Sequence, residues 1–248
     1  MIEVSNIYKA FAEQSILEGV SLTIESGQSA VIIGRSGEGK SVLLKHLVGL
    51  LTPDSGHVRI DGQDLTGLGE RALIEVRRKF GMVFQQAALF DSLSVEENVN
   101  FVLRREGRHT SAQMARLVTE ALEMVELRGV EKKRPAELSG GMRKRVGLAR
   151  AIIYRPEIVL YDEPTTGLDP VVSDSIDKLI LRINERLGVT TVVVTHDMRS
   201  ARRIGQKVFF LNGGRIYADG SADDIFESND PLVHRFVRGI SDEKDLAL

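Results

Sequence analysis

An α/β fold with a mainly parallel sheet, an antiparallel β portion at the N-terminus and an inserted helical segment is predicted from three observations. Short alternating or wholly apolar runs, separated by glycine turns, fill the first 60 residues or so. Later strand-like runs, "EIVLYDEP" and "VTTVVVTHD", flank the helical pattern "VSDSIDKLILRINERLG", and strands alternating with helices imply parallel pairing. Between these regions, residues 86–155 carry helical patterns only, which reads as an insertion into the alternation.

In chain order, "IEVSNIYKAF" and "VSLTIE" alternate polar with apolar residues, "GQSAVIIG" is a buried strand, and "GHVRIDG" ends in a turn. From Lys40, "KSVLLKHLVGLL" reads as a helix stopped at Pro53. "FGMVFQQ" is a further strand. "SVEENVNFVLRR" and "SAQMARLVTEALEMVEL" are helical, the latter presenting Leu117, Ala121, Met124 and Leu127 on one face. Another helix opens at Ser139 and runs to about Arg155. "KVFFLNGGRIYADG" is a hairpin turning at Gly213–Gly214, followed by short helical stretches and a polar tail. The expected division is a single domain: a core of 1–85 and 156–225, a helical subdomain of 86–155, and a tail of 226–248.

The 248 residues are 42% hydrophobic and 27% charged, an ordinary balance for a chain with a full core. A formal net charge of −2 argues against bulk attraction to nucleic acid or anionic lipid. The absence of cysteine excludes disulfides, thiolate metal sites and a cysteine nucleophile. No apolar run approaches the roughly 18 residues of a membrane span, and "MIEVSNIYKAF" does not read as a signal peptide. Any work at a membrane then requires another chain.

"AVIIGRSGEGKS" combines a strand, a glycine loop and a helix, and matches G-x-x-x-x-G-K-[ST] from Gly34 to Ser41. Across Gly34, Arg35, Ser36, Gly37, Glu38 and Gly39, backbone N–H groups can turn toward phosphates, and the helix that continues through Val42 adds its positive dipole end. Lys40 would reach the β- and γ-phosphates of ATP, and the Ser41 hydroxyl would ligate Mg2+. "IVLYDEP" places Asp162 and Glu163 at a strand's C-terminal end, where α/β sheets bind ligands. Asp162 is expected to hold the magnesium and Glu163 to act as general base on water. "VVVTHD" puts His196 at another strand end, suited to a hydrogen bond with the γ-phosphate. Gln85, after "MVF", is suited to ligate Mg2+ or orient water, with Gln86 as the adjacent alternative.

A second glycine-rich helix start, "LSGGM", lacks the lysine. Ser139 and the N–H groups of Gly140 and Gly141 still offer donors to an anion, and the helical segment is expected to carry them away from the chain's own phosphate loop. They make most sense against the γ-phosphate of a second subunit, so that two head-to-tail chains enclose two ATP molecules. The following Arg143, Lys144, Arg145, Arg150 and Arg155 lack interleaved aromatics and read as a solvated helix face, with no nucleic-acid partner expected. Leu89, Phe90, Leu93 and Val95, directly after Gln85, read as apolar anchors in a groove for a partner helix.

The order of lysine loop, Gln85, "LSGG", "DEP", "GLD" and His196 resembles the ATPase subunits of ABC transporters over nearly the whole chain. The resemblance implies a P-loop (RecA-like) core that hydrolyses MgATP as a sandwich dimer and drives integral membrane permease subunits from the cytoplasmic face of the inner membrane. It also implies that Phe11 stacks on adenine, with Tyr8 as the alternative, and that Asp169 belongs to the loop contacting the partner subunit. Met142 stands where many members have Gln. "LSGGMRKRVGLARA", "FQQAALFDSLSVEENVNFVLR" and "NDPLVHRFVRGI" are most similar to the ATPases of MCE-type phospholipid transport systems, which implies an MCE-domain lipid-binding partner. The alternatives are an importer of amino acids or other small solutes and, further off, a soluble ABC ATPase.

Overall fold

The computed structural model describes residues 1–241; the polar end of the tail, 242–248, lies outside the described residues. The chain divides into two compact units, Met1–Arg77 together with the chain from Val192 onward, and Arg78–Thr191.

The first unit opens with β1 (Ile2–Phe11) and β2 (Gln14–Ile24), joined by a tight antiparallel turn. β2 begins earlier than its "VSLTIE" core, because pairing with β1 extends it to Gln14 opposite Phe11. β3 (Ser29–Ile33) is buried along its whole length, as a central parallel strand requires. α1 (Lys40–Leu47) follows, shorter than expected: the chain turns left-handed at Gly49 (φ 64°), ahead of Pro53. β4 (Ser55–Ile60) and β5 (Gln63–Asp64) complete an antiparallel sheet in the order β2-β1-β4-β5. α2 (Glu70–Arg77) was not indicated by the apolar pattern, and only Val76 of it is buried.

The second unit starts with β6 (Phe80–Val83). The following helices are α3 (Val95–Val99), α4 (Phe101–Glu106), α5 (Ser111–Met124) and α6 (Gly140–Ile152). Capping boxes at Ser94/Glu97 and Thr110/Gln113 start α3 and α5. The "SVEENVNFVLRR" helix is broken at buried Asn100, which closes α3 and opens α4. On α5 the buried residues are Val118, Ala121 and Leu122, with Val125 beyond; the face is one residue from the expected one, and Leu127 lies past the helix end. β7 (Ile158–Asp162) runs parallel to β6, pairing Tyr161 with Val83. α7 (Pro170–Leu187) completes the unit. Segment 86–155 contains no strand.

β8 (Thr190–Thr195), entirely buried, leads into the first unit, where α8 (Met198–Ile204), β9 (Lys207–Asn212) and β10 (Arg215–Ser221) follow. The strands there lie in the order β10-β9-β3-β8, with β9 parallel to β3 and the β9–β10 hairpin turning at Gly213–Gly214 as expected. α9 (Ala222–Phe226) and α10 (Pro231–Arg238) end the described chain. Val31, Ile32, Val192, Val193 and Val208 are fully buried, each contributing about 1.5–3 kcal/mol. These packed strands hold the loops at their ends.

Candidate functional site

In the first unit, the loop between β3 and α1 closes around its own lysine. Lys40 is buried, and its Nζ donates to the Gly34 oxygen at 2.8 Å and the Arg35 oxygen at 2.7 Å. Gly39 opens α1 at φ 93°, a conformation strained for other residues, and a Cβ there would stand 2.9 Å from Ile16 Cγ2. α1 has no side-chain cap, and a helix N-terminus after a glycine loop favours an anion through its dipole. Ser36 and Gly37 are exposed at the loop's tip, and Ser41 and Val42 are half-buried inside the helix. Glu38 Oε2 accepts from the Gly213 N–H at 2.6 Å, tying the loop to the β9–β10 turn, a link no local pattern announces. Phe11, 45% exposed at the end of β1, offers a ring face, and Lys9 Nζ lies 5.6 Å from its centre. Tyr8 is equally exposed, but its ring packs over Gly19. His196 is exposed at the turn between β8 and α8, which Asp197 caps through the Arg199 and Ser200 N–H groups.

In the second unit, Asp162 ends β7 and Glu163 follows it, 9% exposed at φ 50°. A non-glycine residue in this region is strained, a condition that clusters at functional sites. Glu163 Oε2 accepts from Thr166 Oγ1 at 3.0 Å, which aims the carboxylate. Gln85 and Gln86 are exposed just beyond β6, and Ala87 and Ala88 continue at φ 58° and 46°. Asp169 caps α7, its Oδ1 accepting from the Val171 and Val172 N–H groups at 3.0 Å each.

Ser139 starts α6: its Oγ accepts from the Met142 N–H at 3.3 Å, leaving the hydroxyl proton free to donate outward. Gly141 has no room for a side chain, since a Cβ would approach Val172 Cγ1 to 2.8 Å.

Of the basic residues expected to form a solvated face, Arg143 and Arg155 are exposed, but Lys144, Arg145 and Arg150 turn inward. Lys144, 8% exposed, donates to the main-chain oxygens of Gln85 and, at 3.4 Å, of Glu163. Burial lowers its pKa, opposed by the nearby carboxylates of Glu163 and Asp162. Arg150 holds the Ala87 and Ala88 oxygens at 2.7 Å each, and Arg145 reaches the Val125 oxygen, Glu126 and Ser175. The acceptors lie outside α6 and distant in sequence, so helical periodicity could not reveal them. Gln85, Lys144, Gly140 and Thr166 help line a polar cavity of 330 Å³.

The residues expected as apolar anchors differ in exposure. Phe90 is 44% exposed, its ring centroid 4.6 Å from that of Phe101. Leu89 and Leu93 are half-buried. Val95 is 0% exposed and belongs to the core, because it is the first residue of α3 and turns inward. Asn98, fully buried, fixes the loop by accepting from the Phe90 N–H and donating to the oxygens of Phe90, Leu93 and Ser94.

A lysine-bearing glycine loop between a buried strand and a helix, in this α/β framework, defines a P-loop nucleotide-binding ATPase domain. The pattern of the ABC transporter family matches residues 17–166, and the chain belongs to that family: it is an ATP-binding, ATP-hydrolysing transporter subunit. It is 41% identical over 253 residues to the probable ribonucleotide transport ATP-binding protein mkl of Mycobacterium tuberculosis, covering 99% of this chain and 70% of that protein. It is 38% identical over 242 residues to the intermembrane phospholipid transport system ATP-binding protein MlaF of Haemophilus influenzae, covering 98% of this chain and 92% of that one. Among solved structures, the dimeric ATP-binding cassette MJ0796 with ADP and phosphate superimposes with a TM-score of 0.82 at 35% identity, covering 90% of this chain and 99% of that one.

Proposed function

We propose that the chain powers phospholipid transport between bacterial membranes as one half of a head-to-tail ATP-sandwich dimer, seated on permease subunits at the cytoplasmic face of the inner membrane. The assignment of 1–85 and 156–225 to the nucleotide core, 86–155 to the helical subdomain and 226–248 to the tail is part of this reading. The observation that carries its hydrolytic part is Glu163: a strained, nearly buried carboxylate at the end of β7, aimed by Thr166.

Lys40 and the N–H groups of Gly34–Ser41 bind the phosphates, and Phe11 stacks on the adenine. Glu163 takes a proton from the attacking water, which Gln85 orients, while His196 hydrogen-bonds the γ-phosphate. Ser139, Gly140 and Gly141 donate to the ATP held by the partner subunit, and Asp169 lies in the loop facing that partner. The Ser41 hydroxyl, the Gln85 amide and the Asp162 carboxylate are hard oxygen donors that fit Mg2+, which usually keeps few protein ligands beside phosphate oxygens. When bound, Mg2+ offsets charge on the β- and γ-oxygens.

The lipid reading is supported by the near full-length similarity to MlaF. An importer of a small polar solute is the second reading, favoured by the 42% identity over 226 residues to the methionine import ATP-binding protein MetN of Rhizobium johnstonii. Purification of the chain from its own membranes separates the two. Recovery of an MCE-domain protein with a permease supports the first; recovery of a permease with a solute-binding protein supports the second. Phe90→Asp, which places a charge on the exposed ring, should abolish permease recovery while nucleotide binding by the subunit persists. Full permease recovery by that variant would move the docking site elsewhere.

A further inference from the structure

The parallel register of β6 and β7 brings two distant segments level. Val83 pairs with Tyr161, so Gln85 and Glu163, each two residues on, leave their strands side by side. One ammonium group spans them: Lys144 Nζ donates to both main-chain oxygens. Glu163 is thereby held at both ends, its carboxylate by Thr166 Oγ1 and its carbonyl by Lys144 and the Thr166 N–H. Its left-handed backbone needs such support, since nothing intrinsic to a glutamate favours φ 50°. Lys144 belongs to α6, one turn beyond Gly140 and Gly141, and so ties that helix to both strand ends. A buried ammonium is also an expensive way to fill space: an apolar side chain would pack there without desolvating a charge.

We propose that Lys144 is a positioning residue for hydrolysis. Its ammonium fixes the Glu163 main chain against that of Gln85 and links both to the helix opened by Ser139. The inference rests on the reading of Glu163 as general base.

The test is steady-state ATP hydrolysis by the full chain carrying Lys144→Met, Lys144→Arg or Glu163→Gln, and the Lys144→Met/Glu163→Gln pair. Lys144→Met should lower kcat about 10- to 100-fold, the scale of a small misplacement of a reacting group. The KM for ATP should stay within about twofold, since ground-state binding is untouched. Lys144→Arg keeps a charged donor and should restore most of kcat. Glu163→Gln alone should be at least about 100-fold slower and accumulate as an ATP-bound dimer, and Lys144→Met should then add less than about twofold. An unchanged kcat in Lys144→Met, or its full loss multiplying that of Glu163→Gln, would overturn the positioning role. Normal turnover in Glu163→Gln would instead remove the general base beneath it. Should Lys144→Met fail to fold, Lys144→Gln, with a shorter neutral donor, is judged by the same criteria.

Discussion

The chain contains two glycine-rich helix starts that look alike in sequence and are built differently. At α1, Gly39 provides a left-handed entry without a side-chain cap, and the first helical residue, Lys40, folds back onto the carbonyls of Gly34 and Arg35. The loop encloses a cation at an uncapped helix start, the combination that a phosphate cradle requires. At α6, Ser139 enters in an extended conformation and caps its own helix through the Met142 N–H. The lysine comes a turn later and is turned inward to the carbonyls of Gln85 and Glu163. What remains outside is a donor surface without that lysine, beside exposed Arg143. Two helix N-termini with the same dipole are thus built differently: one carries its lysine against its own loop, and the other opens on a serine cap, as the proposed sharing of a site with a second chain requires.

The contrast can be broken at its strongest point first. Lys40→Ala removes a charged donor whose phosphate hydrogen bonds are worth about 1.5–3 kcal/mol, so MgATP should bind about 10- to 100-fold more weakly. Titration with a fluorescent nucleotide reads this directly, and an unchanged Kd would show that the cradle does not depend on its lysine. Ser139→Ala sharpens the contrast with a smaller effect. Loss of the cap costs about 1 kcal/mol and should lower Tm by roughly 2–4 °C, while nucleotide affinity of the monomer stays as it was. A weakened monomer affinity in Ser139→Ala would mean that the two starts share one nucleotide within a chain.

The same two starts show what was legible in the sequence. The P-loop, the strand ends bearing Asp162, Glu163 and His196, and the opening of α6 at Ser139 could all be read, because each depends on residues within one local motif. Features set by distant partners could not. Lys144 and Arg150 looked solvated because their acceptors are main-chain oxygens 19 to 63 positions away. Glu163's positive φ leaves no trace in residue type. Val95 looked like an exposed anchor until the Ser94 cap turned it inward, and α2 was silent because a single buried residue leaves no periodicity. Asn100 broke a continuous helical pattern from a buried position that composition does not mark.

The assignment of α6's start to a neighbouring chain's nucleotide is tested most directly by complementation. A Lys40→Ala chain and a Ser139→Arg chain are each assayed for ATP hydrolysis as homodimers, then mixed under conditions in which dimers form. Each homodimer carries one lesion at both of its sites and should be inactive. If the signature acts across the dimer, the heterodimer has one site with both lesions and one intact, and ATP hydrolysis should return in part. If it acts within its own chain, every site in the mixture carries a lesion, and a mixture as inactive as its parents would contradict the account.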